Sequence, residues 1–252
     1  MTRWTPARLT VVAVCLACTS APTQPGPGPL GDAEVTVLFI GNSLTYANDL
    51  PSLVATVAEA AGHTFASASV ALPDFSLEDH WRTGIAGVIR NVRPQVVVLQ
   101  QGPSSLPESQ VHLRRWADTL SPVIEEVGAR PALLMVWPDR SRAAFFDDVR
   151  TSYRDAAISV DGLFIPAGEA WREAWENDPD LALYGPDDFH PSLVGSQVAA
   201  LTVFAVLFGE VVGNLPALLE PTSPALPVID LGDAARDILA AVDAAVRAWA
   251  LP

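Results

Sequence analysis

Val35-Thr36-Val37-Leu38-Phe39-Ile40-Gly41-Asn42-Ser43-Leu44-Thr45 begins as an apolar run with no polar face beyond Thr36 and ends in a glycine, a serine and a helix start. A strand that is apolar on both faces needs cover on both, which is the condition of a parallel sheet between two helix layers. Gly41 permits a sharp turn at the strand end. Asp49 and Pro51 then open a helix over residues 50–61, and Gly62 closes it.

The same alternation continues outward. Strands are predicted at 63–70, 95–99 and 132–136, with a short fifth at 163–165. Helices are predicted at 77–91, 108–127, 143–159, 193–208 and 234–249. The fold class expected is α/β, a three-layer sandwich around a parallel sheet of about five strands. In such sheets, sites gather beyond the carboxyl ends of the strands. Gly41 to Thr45 lies at one of those ends.

At 252 residues the chain suits one ordinary α/β domain, and half of its residues are hydrophobic, enough for a sizeable core. Its 29 acidic and 15 basic side chains leave a net charge of -14. That surface repels nucleic acid and anionic headgroups at long range, so no nucleic-acid partner is expected.

Arg3 and Arg8 precede an apolar run from Leu9 to Ala17, with small residues around Cys18. This is the layout of a bacterial export signal, too short to span a bilayer. Leu16-Ala17-Cys18 resembles a lipoprotein processing site, at which Cys18 becomes the lipidated first residue. A plain cleavable signal is the other reading. Both place the protein outside the cytoplasm, membrane-anchored or periplasmic or extracellular, with membrane contact only through an anchor at Cys18. Ala21 to Gly31 is rich in Pro and Gly and suits a tether. The organisation expected is a signal over 1–18, a tether over 19–33 and one domain over 34–252. Cys15 and Cys18 are the only cysteines, so the folded body has no disulfide, thiol nucleophile or cysteine metal site.

Taken alone, Ser43 reads as a helix cap or turn residue. Nor does Gly41-Asn42-Ser43-Leu44-Thr45 match the Gly-x-Ser-x-Gly elbow, because Thr45 replaces the second glycine. What lifts Ser43 is Tyr184-Gly185-Pro186-Asp187-Asp188-Phe189-His190-Pro191 at the far end of the chain. A carboxylate three positions before a loop histidine can reach its δ nitrogen and fix the tautomer. The ε nitrogen is then left to take a serine proton.

With these two stretches, the chain resembles the SGNH (GDSL-type) hydrolase superfamily over about residues 35 to 208. Phe39 to Thr45 is similar to its first block, with Asn42 where many members carry Asp; Asp187 to Pro191 is similar to its last. The resemblance implies a flavodoxin-like sandwich and a serine ester hydrolase with Ser43 as nucleophile, His190 as general base and Asp187 as its orienter. It implies short acyl esters as substrates, among them O-acetyl groups on carbohydrates. It also implies three oxyanion donors: the serine amide, a glycine amide after the second strand and an asparagine side chain after the third. Here Ala71 to Leu77 has no glycine, and Asp74 is the candidate for that position through its backbone N–H. The segment after the third strand has no asparagine; Gln100 or Gln101 is the candidate side-chain donor. With two blocks altered, a rival reading is a catalytically weak or inactive lipoprotein that binds a glycan or peptide on the same fold.

His80 reads as structural, and His63 and His112 have no acidic or cysteine neighbours at ligand spacing. With no metal or phosphate-binding motif, no metal and no cofactor are expected. Asp147-Asp148 and Glu125-Glu126 read as solvated helix faces. Trp81, Trp137, Trp171 and Trp175 lie near predicted loops, where a tryptophan stacks on sugars, but core packing is the better reading for most of them.

Overall fold

The computed structural model describes residues 27–251. The expected signal, both cysteines and the first part of the expected tether lie outside the described residues. Pro27 to Ala33 has no regular secondary structure, yet it lies against the domain: Asn91 Nδ2 donates to the Pro27 carbonyl at 2.9 Å, and Leu30 packs on the core.

Five parallel strands, β1 (Val35–Gly41), β2 (Phe65–Ala71), β3 (Val96–Leu99), β4 (Arg130–Leu134) and β5 (Leu163–Ile165), form one sheet in the order β2-β1-β3-β4-β5. Val37 to Ile40 of β1 are fully buried, as a strand between two neighbours and two helix layers must be. The helices are α1 (Ser43–Tyr46), α2 (Leu50–Ala60), α3 (Leu77–Arg82), α4 (Ile85–Val92), α5 (Pro107–Glu126), α6 (Phe146–Ser159), α7 (Ala167–Asn177), α8 (Leu193–Phe208) and α9 (Ala235–Trp249). Helices α2, α7, α8 and α9 pack on one another in one layer, and α4, α5 and α6 in the other. Strand order reverses beside β1, where the chain goes first to β2 and then back past β1 to β3. The crevice between the ends of β1 and β3 is therefore the switch point at which such sheets place their sites.

The structure departs from the sequence reading in several places. The helix expected over 77–91 is two helices, divided at Thr83 and Gly84; Gly84 has φ 90°, which a continuous helix does not allow. Helix α7 was not expected, although Ala170, Trp171 and Ala174 form its buried stripe at helical spacing. Gly168 starts it hard against the Val136 carbonyl, where a Cβ would sit 2.5 Å away. Strand β4 lies two residues earlier than expected and includes Pro131, with Arg130 and Pro131 paired to Val96 and Val97 of β3. The Pro221–Pro227 stretch is held between two short antiparallel strands, β6 (Leu218–Leu219) and β7 (Ile229–Asp230). It is tied to α2 by Thr56 Oγ1 to the Pro227 carbonyl at 2.7 Å and Thr222 Oγ1 to Glu59 at 2.6 Å.

His63 does have acidic partners, from distant sequence. Its ring contacts Glu34 Oε2 and Glu210 Oε1, both at 2.9 Å, and lies against Phe208. The hydrogen bond to Glu34 raises its pKa above the ordinary value against the opposing effect of burial. A raised histidine stabilises the fold fully below its unfolded-state pKa, and the contribution disappears as pH rises through the folded-state value. His63→Gln should therefore lower the melting temperature more at about pH 5 than at about pH 9. Thermal melts of both proteins at the two pH values check this; an equal loss at both would contradict it.

Candidate active site

Gly41 ends β1 with its carbonyl accepting from Leu72 N at 3.1 Å and from His80 Nε2 at 2.8 Å. A Cβ on it would lie 2.3 Å from Thr45 Oγ1 and 2.5 Å from Gln100 Oε1, so only glycine fits. His80 is fully buried, and burial holds its pKa below the ordinary value. It acts as a neutral donor that holds the turn, consistent with a structural reading, and its buried Nδ1 has no partner among the described residues.

Asn42 caps α1, its Oδ1 accepting from Leu44 N at 3.1 Å. That side chain also reaches two other loops. Asn42 Nδ2 donates to the Phe75 carbonyl after β2 at 3.2 Å, and Asn42 Oδ1 accepts from Gln100 Nε2 after β3 at 2.9 Å. Gln100 returns the contact: its Oε1 accepts from Asn42 N at 2.9 Å and from Thr45 Oγ1 at 2.7 Å. The second Nε2 hydrogen goes to the Gln101 carbonyl at 2.5 Å.

Ser43 is the first residue of α1 and 8% exposed. Its Oγ has no hydrogen-bond partner among the described residues, and its N–H is in the first turn, where helices leave donors unpaired.

The expected oxyanion donors fare differently. Asp74 is exposed in the turn after β2 with φ 59°, the left-handed conformation that glycine adopts freely and Asp tolerates better than most residues. The turn around it is tied to Asn42 through Phe75. Of the two candidate glutamines, Gln100 has both of its N–H bonds engaged in the loop scaffold. Gln101 Oε1 accepts from Leu77 N at 3.1 Å and its Nε2 donates to Ser104 Oγ at 2.8 Å, leaving one N–H unengaged. Its backbone is held by the buried Tyr153 hydroxyl, which donates to the Gln101 carbonyl at 2.6 Å.

Asp187 and His190 come together in the loop before α8. Asp187 Oδ2 meets His190 Nδ1 at 2.5 Å, and Asp187 Oδ1 accepts from His190 N at 2.9 Å and Phe189 N at 3.2 Å. The bond to the His190 ring, followed by the two backbone donors, lowers the Asp187 carboxyl to about 2. The carboxylate accepts the Nδ1 proton, so Nε2 is the ring's basic nitrogen. Loop shape is fixed by a Tyr184–Pro191 bridge and by Gly185 N to the His190 carbonyl at 2.7 Å. Trp137 Nε1 donates to the Phe189 carbonyl at 3.0 Å, and Arg140 Nε pairs with Asp188 at 2.7 Å. Trp137 itself is buried and stacked on the buried Trp171, ring centroids 3.5 Å apart, so neither is open to a sugar.

Asn48 escaped sequence reading. Its Nδ2 lies 3.1 Å from the Pro191 carbonyl, 3.2 Å from the Ser192 carbonyl and 3.0 Å from Ser196 Oγ. It joins the segment after Ser43 to the segment after His190. Ser43 Oγ and His190 Nε2 are not hydrogen-bonded to each other in this conformation.

A hollow of about 370 Å³ opens beside this loop, lined by Ser104, Ser105, Leu106, Asp139, Arg142 and Phe189. Arg142 donates to Ser105 Oγ at 3.2 Å, and Asp139 accepts from Ser141 N at 2.8 Å. A larger hollow of about 630 Å³ elsewhere is mostly apolar, and its one acid, Glu210, is the partner of His63. Among the described residues, no group of three His, Cys, Asp or Glu side chains is placed to hold a metal ion, and no helix is long and apolar enough to cross a membrane.

No family model and no curated protein matches the chain. Solved structures do. A DUF4886 family protein from Bacteroides uniformis is 17% identical with a TM-score of 0.70, over 84% of this chain and 95% of the other. An SGNH hydrolase candidate from Slackia heliotrinireducens is 25% identical with a TM-score of 0.56, over 68% and 98%. An acetylxylan esterase from Geobacillus stearothermophilus, solved as a catalytic mutant, is 15% identical with a TM-score of 0.51, over 69% and 94%.

Crowding at Gly41 yields a stability test. Gly41→Ala should destabilise the fold by about 1–3 kcal/mol, because the Cβ must displace buried polar atoms. Gly87→Ala, with nothing within 4 Å of its Cβ and a helical position, should be neutral or stabilise by up to about 1 kcal/mol. Urea unfolding of the two variants measures both values.

Proposed function

The chain has the fold of the SGNH (GDSL-type) hydrolases, and from that premise we propose that it is a serine ester hydrolase with Ser43 as nucleophile, His190 as general base and Asp187 as orienter. The observation that carries this reading is the Asp187–His190 pair. It fixes the tautomer that leaves Nε2 basic, in a loop tied to the segment that bears an unpartnered serine hydroxyl.

In the first half-reaction Ser43 Oγ attacks the ester carbonyl carbon while His190 Nε2 takes its proton. The resulting oxyanion faces the N–H groups of Ser43 and Asp74 and the unengaged Nε2–H of Gln101. The imidazolium then protonates the departing alcohol oxygen as the C–O bond breaks, leaving acyl-Ser43. Water, deprotonated by His190, attacks the acyl carbon. The carboxylic acid leaves, and the serine regains its proton.

Short acyl esters of hydroxyl-rich alcohols, including carbohydrate O-acetyl groups, are the substrates we favour. The hollow beside Phe189, which neither Ser43 nor His190 lines, is near the small end of ligand cavities, about 300–1,000 Å³. It offers serine hydroxyls and a guanidinium as donors, a carboxylate as acceptor and Phe189 as an apolar face. An acetylxylan esterase among the similar structures agrees with this choice. The proposed setting is the exported, lipid-anchored or secreted state suggested by residues 1–18.

Hydrolysis of p-nitrophenyl acetate should fall by at least about 10³ in Ser43→Ala. Gln101→Ala should lower kcat by about 10²–10³ with little change in KM, whereas Gln100→Ala should act mainly by lowering stability. Kinetics together with melting curves separate the two glutamines. A second expectation concerns pH. Asp187 stays ionised down to about pH 2, so it does not titrate over the range of an ordinary assay.

A further inference from the structure

Ser43 and His190 belong to opposite ends of the chain, and each is braced by its own surroundings. The Ser43 turn is held by Gly41, Asn42 and Gln100 within the β1–β3 crevice. The His190 loop is held by Trp137 and Arg140, which follow β4, and by Tyr184, whose hydroxyl donates to the Pro138 carbonyl at 2.6 Å. Among the described residues, the only hydrogen bonds between the segments 43–49 and 185–196 are the three made by Asn48 Nδ2.

Asn48 occupies an unusual backbone position for this task. Its φ is 55°, and Asp49 after it has φ 53°, so two successive non-glycine residues are left-handed between α1 and α2. Such residues persist where surrounding structure demands them. The effect is to turn the Asn48 side chain back across the gap, where its two amide hydrogens are shared among three oxygens. Two of these are the carbonyls of the residues directly after His190, and the third is the hydroxyl of Ser196 in α8, which is buried.

We propose that Asn48 is a positioning residue that sets the distance and orientation between Ser43 and His190. This rests on the roles proposed for those two residues. The amide touches no reacting atom. It fixes the start of α8 and the end of the histidine loop to the helix pair that carries the serine. Since Ser43 Oγ and His190 Nε2 share no hydrogen bond in this conformation, their relative placement depends on what joins the two segments. A displacement of about 1 Å in such a pair can cost about 10² in rate.

Asn48→Gly separates this role from backbone strain, because glycine accepts the left-handed conformation and only the amide is lost. Its melting temperature should stay near that of the parent, and kcat for p-nitrophenyl acetate should fall about 10- to 100-fold with KM little changed. Asn48→Asp should do the same or worse, since a carboxylate cannot donate to the two carbonyls. The loss should vanish against a His190→Ala background, where Asn48→Gly has no base left to misplace. In Asn48→Gly, backbone amides of residues 185–193 should exchange hydrogen at least about tenfold faster, with those of β1 unchanged. A wild-type kcat in Asn48→Gly, an undiminished loss in the His190→Ala background, or unchanged exchange over 185–193 would each overturn the proposal. If His190→Ala alone retains full turnover, the catalytic reading fails instead. The exchange measurement then still decides whether Asn48 holds the loop.

Discussion

Two buried carboxamides facing each other across the switch point of the sheet are what the rest of the site depends on. Asn42 and Gln100 satisfy one another twice, N–H to Oε1 and Nε2–H to Oδ1, and use their remaining capacity on Leu44, Thr45, Phe75 and Gln101. Both are buried, so a half-satisfied version would leave polar groups unpaired at a cost of about 1–3 kcal/mol each. Through this one pair the turns after β1, β2 and β3 share a single geometry. An aspartate at position 42 could not donate to the Phe75 carbonyl, and the carboxylate oxygen in place of Nδ2 would be repelled by that carbonyl. Asparagine at 42 and glutamine at 100, two departures from the family pattern, are therefore one physical solution.

Around that scaffold the chemistry divides between rigid and free groups. Gly41, His80, Gln100 and Tyr153 are spent on holding backbone. Among the described residues, Ser43 Oγ, His190 Nε2 and one Gln101 N–H have no partner, close to loops that are held firmly. That contrast is what a preorganised site requires, since a donor that must first leave another partner stabilises an oxyanion less. Asp74 takes the left-handed conformation that glycine adopts freely, with the residue exposed.

The layered sheet was legible in the sequence because β1, β3 and β5 are short apolar runs between longer amphipathic ones, a pattern that only a covered parallel sheet satisfies. Asp187 and His190 were legible because their contact spans three residues. Less legible was whatever depends on contacts between distant positions. Gln100 and Gln101 are adjacent and chemically identical, and only the approach of Asn42 to one and Leu77 to the other tells them apart. Asn48 meets partners more than 140 residues away. Helix α7 was obscured because Pro166 precedes it and Gly168 lies in its first turn, although the glycine is there to let the helix approach the segment directly after β4. The tryptophans near predicted loops are mixed: Trp137 and Trp171 are buried, the N–H of the first bracing the histidine loop and that of the second the first turn of α8.

The central claim is that Ser43 and His190 act together as one nucleophilic unit. The most direct measurement is treatment of the folded protein with a reactive alkyl phosphonate, followed by peptide mass spectrometry. If the two residues work as described, one phosphonyl group per chain attaches to the peptide bearing Ser43, and His190→Ala slows the attachment by orders of magnitude. Attachment at another residue, or none from a folded chain under conditions that modify a control esterase, would contradict it.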